Sequence, residues 1–406
     1  MRIGISGDFH FGFNGDAAPQ ARSALAELAK DCDAVICSGD LFDSRVPRQE
    51  TLDEAIRILS ATAAEMRKAY SGKPDGNQDS KVEIGEIVGG NRNAPLGCQP
   101  IIAIHGTHER RSRGLVNPVQ LLDSAKAFAN AHGRKIEISK GAEKACIQGM
   151  GGVPEEFARA ALKKMDFRPV AGALNIFVFH QSLDEAIPYG GDTLCAADLP
   201  DGFDLYVNGH IHWASEMREG GRRIIMAGST VVTQMRAKEA APKTVAIFDT
   251  VSKKVEFRQI PTRAFVLREI KFDRPMDPDE IIEIARAELS KIHAMTLDSE
   301  PLVKIKLSGN LAPGFLPSNV DVSPLLAQFG KKMRLFIDRD LESPELGKCA
   351  DAVRQARGEG RGVRELALSL LLEALKGKGV EIPIADLEEM IDLLSEGNAE
   401  GAANLM

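Results

Sequence analysis

The chain has 406 residues, of which 44% are hydrophobic and 27% charged, and its formal net charge is −7. That length exceeds one ordinary core and predicts two or more domains, while the composition excludes a disordered or fibrous chain. The acidic balance argues against a uniformly basic nucleic-acid binder. No apolar run reaches membrane-spanning length, and residues 1–5 enter an apolar strand without a leader-like stretch, so a cytoplasmic protein away from the membrane is expected. Six cysteines, at 32, 37, 98, 146, 195 and 349, form no CxxC pair and read as buried free thiols in a reducing compartment.

Residues 1–6 read as a buried strand, followed by helical spacing over 18–30 (Ala24, Leu25, Leu28) and a second apolar strand at 34–37. Leu52, Ala55, Ile56, Leu59 and Ala63 recur at i, i+3, i+4, i+7 spacing, which predicts an amphipathic helix over 49–69. The polar, Gly- and Asn-rich stretch 71–99 reads as an inserted surface hairpin, and 101–104 as a third strand. Strands alternating with helices predict βαβ units and a sheet covered on both faces.

Helices fit 118–131 and 154–165, and strands fit 176–179 and 205–207. Short strands at 222–227, 243–249 and 254–260 suggest a second sheet packed on the first, ending near Pro261. The texture then changes to a strand (265–272), a helix (278–293), a strand (302–307), a short helix (322–329) and a strand (333–337). The stretch 341–361 is Gly-, Arg- and Glu-rich, and leucine-rich helices fit 362–376 and 384–395. The expected organisation is α+β: a sandwich domain over 1–261, a small α+β module over 262–340, a linker over 341–361 and a helical segment over 362–406.

Five motifs follow apolar runs in the first domain: Gly7-Asp8-Phe9-His10, Gly39-Asp40-Leu41-Phe42-Asp43, Gly106-Thr107-His108-Glu109, Phe179-His180 and Gly209-His210-Ile211-His212. In open α/β sheets ligands collect outside the carboxyl ends of the strands, so residues a hundred positions apart can meet there. Asp8 and His10 can turn toward one ion only if the strand has ended and the backbone bends. Two ligand shells are expected: Asp8, His10, Asp40 and His212 for one ion, and Asp40, His180 and His210 for the other, with Thr107 as a neutral ligand and Asp40 bridging. Mixed imidazole and carboxylate donors suit Mn²⁺, Fe or Zn²⁺ better than Ca²⁺. Two ions about 4 Å apart can clamp a phosphate and activate a water. His108 is the natural proton donor for a leaving alkoxide, because imidazole titrates near neutral pH. Asp43 is its first candidate partner and Glu109 the second. His105, His132 and His293 read as structural. Arg110, Arg111 and Arg113 are the candidate contacts for a polyanion, ahead of Arg134 with Lys135, and Lys331, Lys332 with Arg334, although each cluster also suits a solvated surface.

These motifs resemble the pattern D-x-H, G-D-x-x-D, G-N-H-D/E, a later H, and G-H-x-H of the calcineurin-like metallophosphoesterase superfamily, over roughly residues 1–250. The resemblance implies a two-sheet β-sandwich flanked by helices. Within the superfamily the chain looks like the nuclease subunits of DNA double-strand-break repair, of the meiotic recombination eleven and SbcD type. The stretch Gly114-Leu115-Val116-Asn117-Pro118 before a helix, the module after residue 261 and the terminal leucine-rich helices carry that likeness.

The resemblance implies a homodimeric, Mn²⁺-dependent 3′–5′ exonuclease and endonuclease with two Mn²⁺ per subunit, Mg²⁺, Fe or Zn²⁺ being substitutes. It also implies a DNA-capping role for 262–340, docking of 362–406 on an SMC-like ABC-type ATPase (radiation-sensitive fifty or SbcC type), and a nucleoid-associated location. Two positions depart from the pattern: Thr107 stands where the family has Asn, which weakens the second ion's shell, and Asp43 is the SbcD- and phosphatase-like residue where other members have His. A phosphatase or cyclic-nucleotide phosphodiesterase on the same core, or a non-catalytic scaffold for DNA and the ATPase, remain the alternatives.

Overall fold

The computed structural model describes residues 1–71, 82–88, 91–95, 100–112, 114–187, 193–295, 300–344, 347, 354, 368, 372 and 383–395. The chain divides into two compact units, Met1–Phe265 and Val266–Met406.

The first unit holds two sheets. In the first sheet, β1 (Arg2–Ser6) and β2 (Ala34–Cys37) run parallel, separated by helix α1 (Ala17–Ala29). Helix α2 (Gln49–Ser71) follows. The hairpin β3 (Val82–Val88) and β4 (Asn91–Pro95) belongs to the second sheet. Strand β5 (Ile101–Ala103) returns to the first sheet, and helix α3 (Pro118–Ser124) leads to β6 (Ala129–Asn130) on its edge.

The second sheet is then built from β7 (Lys135–Lys140), β8 (Glu143–Met150), β9 (Leu174–Phe179), β10 (Leu205–Asn208), β11 (Ser215–Glu219) and β12 (Arg222–Met226), with helix α4 (Glu155–Met165) between β8 and β9. Strands β13 (Thr244–Asp249) and β14 (Val255–Gln259) complete the first sheet. The strand orders are β14-β13-β1-β2-β5-β6 and β11-β12-β10-β9-β8-β7-β3-β4.

Side-chain alternation along the strands sorts residues into layers. Ile3, Ile5, Ala34, Ile36, Ile176, Val178, Leu205 and Val207 meet in one core between the sheets. The opposite faces bury Val35 and Cys37 with α1 and α2, and Phe177, Phe179 and Tyr206 with α4. The result is a two-sheet sandwich with helices outside both sheets. Each fully buried aliphatic side chain contributes about 1.5–3 kcal/mol relative to exposure.

The stretch 118–131 is not one helix. Helix α3 stops at Ser124, Lys126 takes a left-handed φ of 60°, and Ala127 and Phe128 are buried as the chain turns into β6. The inserted stretch does contain a hairpin, but β3 pairs with β7 and buries Val82 and Ile84 in the sandwich core. Strands β7, β8 and β11 were not expected: Lys and Glu alternate with isoleucine in β7, β11 is almost wholly polar, and β8 opens on Glu143-Lys144 and carries Gln148 and Gly149 among its apolar residues. In α2 the buried apolar positions are Ala55, Ile58, Leu59, Ala63 and Met66, while Ile56 is exposed.

In the second unit, β15 (Phe265–Lys271), which starts one residue before the division, joins β16 (Leu302–Asn310) and β17 (Arg334–Glu342) in a three-stranded sheet. Helices α5 (Pro278–His293) and α6 (Ser323–Phe329) pack with it around Ile281, Ala285, Leu289, Val303, Ile305 and Leu325. Strand β17 runs to Glu342 and overlaps the start of the expected linker. The rest of that linker and most of the helix expected at 362–376 lie outside the described residues. Helix α7 (Ile384–Ser395) buries Leu387 and Met390, with Leu393, Leu368 and Leu372 packed against them.

Candidate metal centre

All five motifs emerge at the carboxyl ends of parallel strands: β1, β2 and β5 in the first sheet, β9 and β10 in the second. The two sheets thus deliver their ligands to one edge of the sandwich. The first two motif loops run side by side, with the Asp8 N–H donating to Gly39 O (2.9 Å) and the His10 N–H to Asp40 O (3.0 Å).

The backbone bends the sequence demanded are present. Asp8, His10, Asp40 and His210 take left-handed φ values of 50°, 49°, 47° and 70°. That conformation is costly for non-glycine residues and concentrates at functional sites. Glycine is required beside them: a Cβ on Gly39 (φ 102°) would lie 2.5 Å from His180 Nδ1, and one on Gly106 would lie 2.0 Å from Asp40 Oδ1.

Three overlapping groups form, each with ligand atoms within 4.8 Å of one another: Asp8, His10 and His212; His10, Asp40 and His108; and Asp40, His180 and His210. Asp8, His10, Asp40, His180 and His212 are buried. The structure therefore gathers all six of the charged or imidazole ligands expected from sequence, with His108 beside them. Thr107 is adjacent too, its Oγ1 donating to Asp40 Oδ2 at 3.4 Å.

The electrostatics follow from packing acids against imidazoles out of water. Burial opposes charge on Asp40, but His180 outweighs it and holds the carboxyl well below the usual carboxylate range. Burial likewise opposes charge on His180, whose pKa Asp40 nevertheless pushes up to about 10, with Nε2 3.2 Å from Asp40 Oδ2. Burial raises Asp8, partly offset by His180 and His212. Burial and the neighbouring His180 push His210 down to about 3.

The donor set fits a divalent cation. The buried Nε2 of His10 has no hydrogen-bond partner in the protein, and that of His180 makes no well-aligned hydrogen bond although Asp40 Oδ2 lies 3.2 Å away; such atoms normally find a partner. The other ring nitrogens are already engaged: His180 Nδ1 donates to Ser38 O (2.8 Å), and His10 Nδ1 lies 3.2 Å from Asp43 Oδ1. Outer partners of this kind fix the tautomer that turns Nε2 toward a metal.

His108 is the exposed member. Its Nδ1 lies 3.3 Å from Asp43 Oδ1 and 3.2 Å from Asp43 O, and its Nε2 lies 3.9 Å from Asp40 Oδ2. Asp43 thus contacts both His108 and His10. Glu109 does not serve His108. It is fully buried and accepts from the N–H groups of Phe42 (2.8 Å) and Gly106 (2.6 Å), so it ties the second motif loop to the third. Burial and Asp40 push its pKa up to about 8.

Arg110 is half-buried, Arg111 is exposed and donates to Val116 O (3.0 Å), and Arg113 lies outside the described residues. Sequence reasoning missed Thr233, Glu239 and Lys243, which surround His212. Thr233 Oγ1 is 2.6 Å from His212 Nδ1, and Lys243 Nζ donates to His212 O (3.1 Å). The Glu239–Lys243 spacing is the only sequence signal, and it looks like an exposed i,i+4 helix pair. Among the described residues no helix is long and apolar enough to cross a membrane.

Known proteins bear on this geometry. Double-strand break repair protein MRE11 of Mus musculus is 24% identical over 460 aligned residues, covering 98% of this chain and 62% of that protein. Double-strand break repair protein mus-23 of Neurospora crassa is 27% identical over 383, covering 76% and 49%. DNA double-strand break repair protein Mre11 of Saccharolobus solfataricus is 26% identical over 311, covering 72% and 71%. The chain spans between 49% and 62% of the length of the mouse and Neurospora relatives. The model of the calcineurin-like phosphoesterase superfamily domain matches residues 1–253, which hold every motif and every strand of the sandwich except β14, and the chain belongs to that superfamily.

Proposed function

We propose that the chain is a divalent-metal-dependent phosphodiesterase that cleaves DNA, as the nuclease subunit of a double-strand-break repair complex. The observation that carries the reading is the convergence of Asp8, His10, Asp40, His180, His210 and His212 at one sandwich edge, with the buried His10 Nε2 left without a hydrogen-bond partner. DNA as substrate is supported by the names of the relatives, which are double-strand break repair proteins.

Two Mn²⁺ ions, held by Asp8, His10, Asp40 and His212 and by Asp40, His180 and His210 with Thr107, would polarise the phosphoryl group and make water nucleophilic near neutral pH. The chain's own residues supply the rest. Asp43 holds His108 Nδ1, which leaves Nε2 facing the cluster to give a proton to the departing oxygen. Burial around Asp8 and Asp40 excludes bulk water, so their charges act at short range through a low dielectric. The sequence of 3′–5′ exonuclease and endonuclease steps belongs to the same reading.

The module after residue 261 would cap DNA, and residues 362–406 would dock on an SMC-like ABC-type ATPase. Burial of Leu387 and Met390 against Leu368 and Leu372 uses part of that apolar face internally. Leu115, Val116 and Leu121 are 51%, 58% and 49% exposed and would offer a homodimer apolar side chains to bury.

The test is degradation of linear duplex DNA in Mn²⁺ with the ATPase present. His108→Ala and Asp8→Ala are expected to abolish it, and truncation after residue 361 to remove ATPase binding while sparing metal-dependent cleavage. Turnover of a nitrophenyl phosphodiester without any cleavage of DNA would move the assignment to a phosphatase or small-molecule phosphodiesterase. Asp43 beside His108 is the observation that favours this second reading.

A further inference from the structure

The segment from Ser229 to Lys243 carries a polar network buried against the back of His212. Glu239 is 2% exposed and Lys243 is 5% exposed, and each is saturated with partners. Glu239 Oε1 accepts from the Thr233 N–H (3.2 Å) and from Lys243 Nζ (3.3 Å), and Oε2 accepts from the Gln234 N–H (2.9 Å). Lys243 Nζ also donates to Ser229 Oγ (2.9 Å) and to the His212 carbonyl (3.1 Å). A buried ion pair is a poor way to gain stability, because desolvation offsets much of its attraction. Its placement therefore calls for another account.

That account lies in what the network touches. Thr233 Oγ1 is 2.6 Å from His212 Nδ1, and Glu239 Oε1 is 3.6 Å from the same nitrogen. The opposite ring nitrogen, Nε2, points to Asp8 Oδ1 at 3.6 Å. One residue is thus gripped twice, its main chain by Lys243 and its ring by Thr233 with Glu239 behind. In the tautomer that frees Nε2, Nδ1–H donates to Thr233 Oγ1, and the Glu239 carboxylate favours the proton staying there.

We infer that Thr233, Glu239 and Lys243 are positioning residues that lock His212 in the cation-binding tautomer and orientation, so that this network sets affinity for the ion at Asp8, His10 and His212. The inference rests on the metal-centre reading above and adds a determinant outside the ligands.

The experiment is Mn²⁺ titration of the full metal-free chain without DNA, read by calorimetry and by emission of Trp213. That residue is the chain's only tryptophan and adjoins His212. Glu239→Gln keeps the shape and removes the charge, and Thr233→Val removes only the hydroxyl. Both are expected to lower affinity for one ion by about 10-fold or more, the range seen when outer partners of metal ligands are lost. Thermal melting of the same variants identifies the folded ones, and Thr233→Val keeps the test valid should the buried Glu239→Gln fail to fold. As a stability control, Arg159→Met breaks the Arg159–Asp198 pair (3.0 Å) away from the centre and is expected to lower Tm without changing Mn²⁺ affinity. Wild-type Mn²⁺ affinity in folded Thr233→Val and Glu239→Gln would overturn the inference and leave the metal centre standing. Failure of the unsubstituted chain to take up Mn²⁺ would overturn both.

Discussion

The two sides of the metal centre are braced by different parts of the polypeptide. Around His10 and His212 the braces are side chains: Asp43 on His10 Nδ1, and Thr233 with Glu239 on His212 Nδ1. Around Asp40 and His180 the shorter braces are main chain: the His108 N–H donates to Asp40 Oδ1 (2.9 Å), and Ser38 O accepts from His180, with the Thr107 hydroxyl a longer contact on Asp40 (3.4 Å). A side-chain brace can be removed by one conservative substitution. A main-chain brace is lost only when the backbone moves, so the vulnerable points on that side are the glycines that let backbone and ligand approach.

Substitutions can therefore be ranked by what they remove. Asp40 belongs to two of the three ligand groups, so Asp40→Ala is expected to reduce metal-dependent cleavage the most, beyond the roughly 100-fold limit of outer-partner losses. His108→Gln removes a proton donor and no ligand of either shell, and is expected to cost about 100- to 10,000-fold in kcat with Mn²⁺ stoichiometry unchanged. Loss of bound Mn²⁺ in that variant would make His108 a ligand instead.

Gly39→Ala is expected to weaken the Asp40–His180–His210 side by about 10- to 100-fold, because the new Cβ would lie 2.5 Å from His180 Nδ1 and φ is 102°. Calorimetry separates this from the Asp8 side, which shares Asp40 and should lose less affinity. Thr107→Asn should have the smallest effect, a gain of up to about 10-fold for the second ion, since an amide oxygen ligates better than the hydroxyl now donating to Asp40.

The second side also has a pH signature. Asp40 raises His180 to about 10, above the imidazole's ordinary 6.5, so in the metal-free protein His180 contributes stability that is complete below about pH 6.5 and lost as pH rises through about 10. A cation must displace that proton. Binding there at pH 8 should release about one proton, measured by calorimetry in buffers of different ionisation enthalpy. An ion that binds without proton release would contradict the charged His180.

How much of this was legible in the sequence depended on where each residue sits. Asp8, Asp40, His180 and His210 follow apolar strands whose ends a short-range pattern reveals, so their convergence could be argued from strand order alone. Asp43 was legible because its motif spacing set it beside the same loop. Thr233, Glu239 and Lys243 were not, because their segment has no strand and its polar residues look solvated until it folds against His212. Glu109 was misread for the same reason: an acid next to His108 in sequence faces the opposite way and ties two loops together. In the fold, β7 was lost in alternating charge and β8 behind its Glu143-Lys144 start and its Gln148-Gly149 pair, and α3 ended early because Ala127 and Phe128 are needed in the core.

The central claim is a two-ion centre whose sides share Asp40 but are braced by different residues, and a Mn²⁺ titration of the full chain beside Glu239→Gln and Gly39→Ala tests it most directly. Two ions per chain are predicted, with Glu239→Gln weakening mainly the ion at His212 and Gly39→Ala mainly the ion at His180. A single ion in the unsubstituted chain, or equal weakening of both ions by either variant, would contradict it.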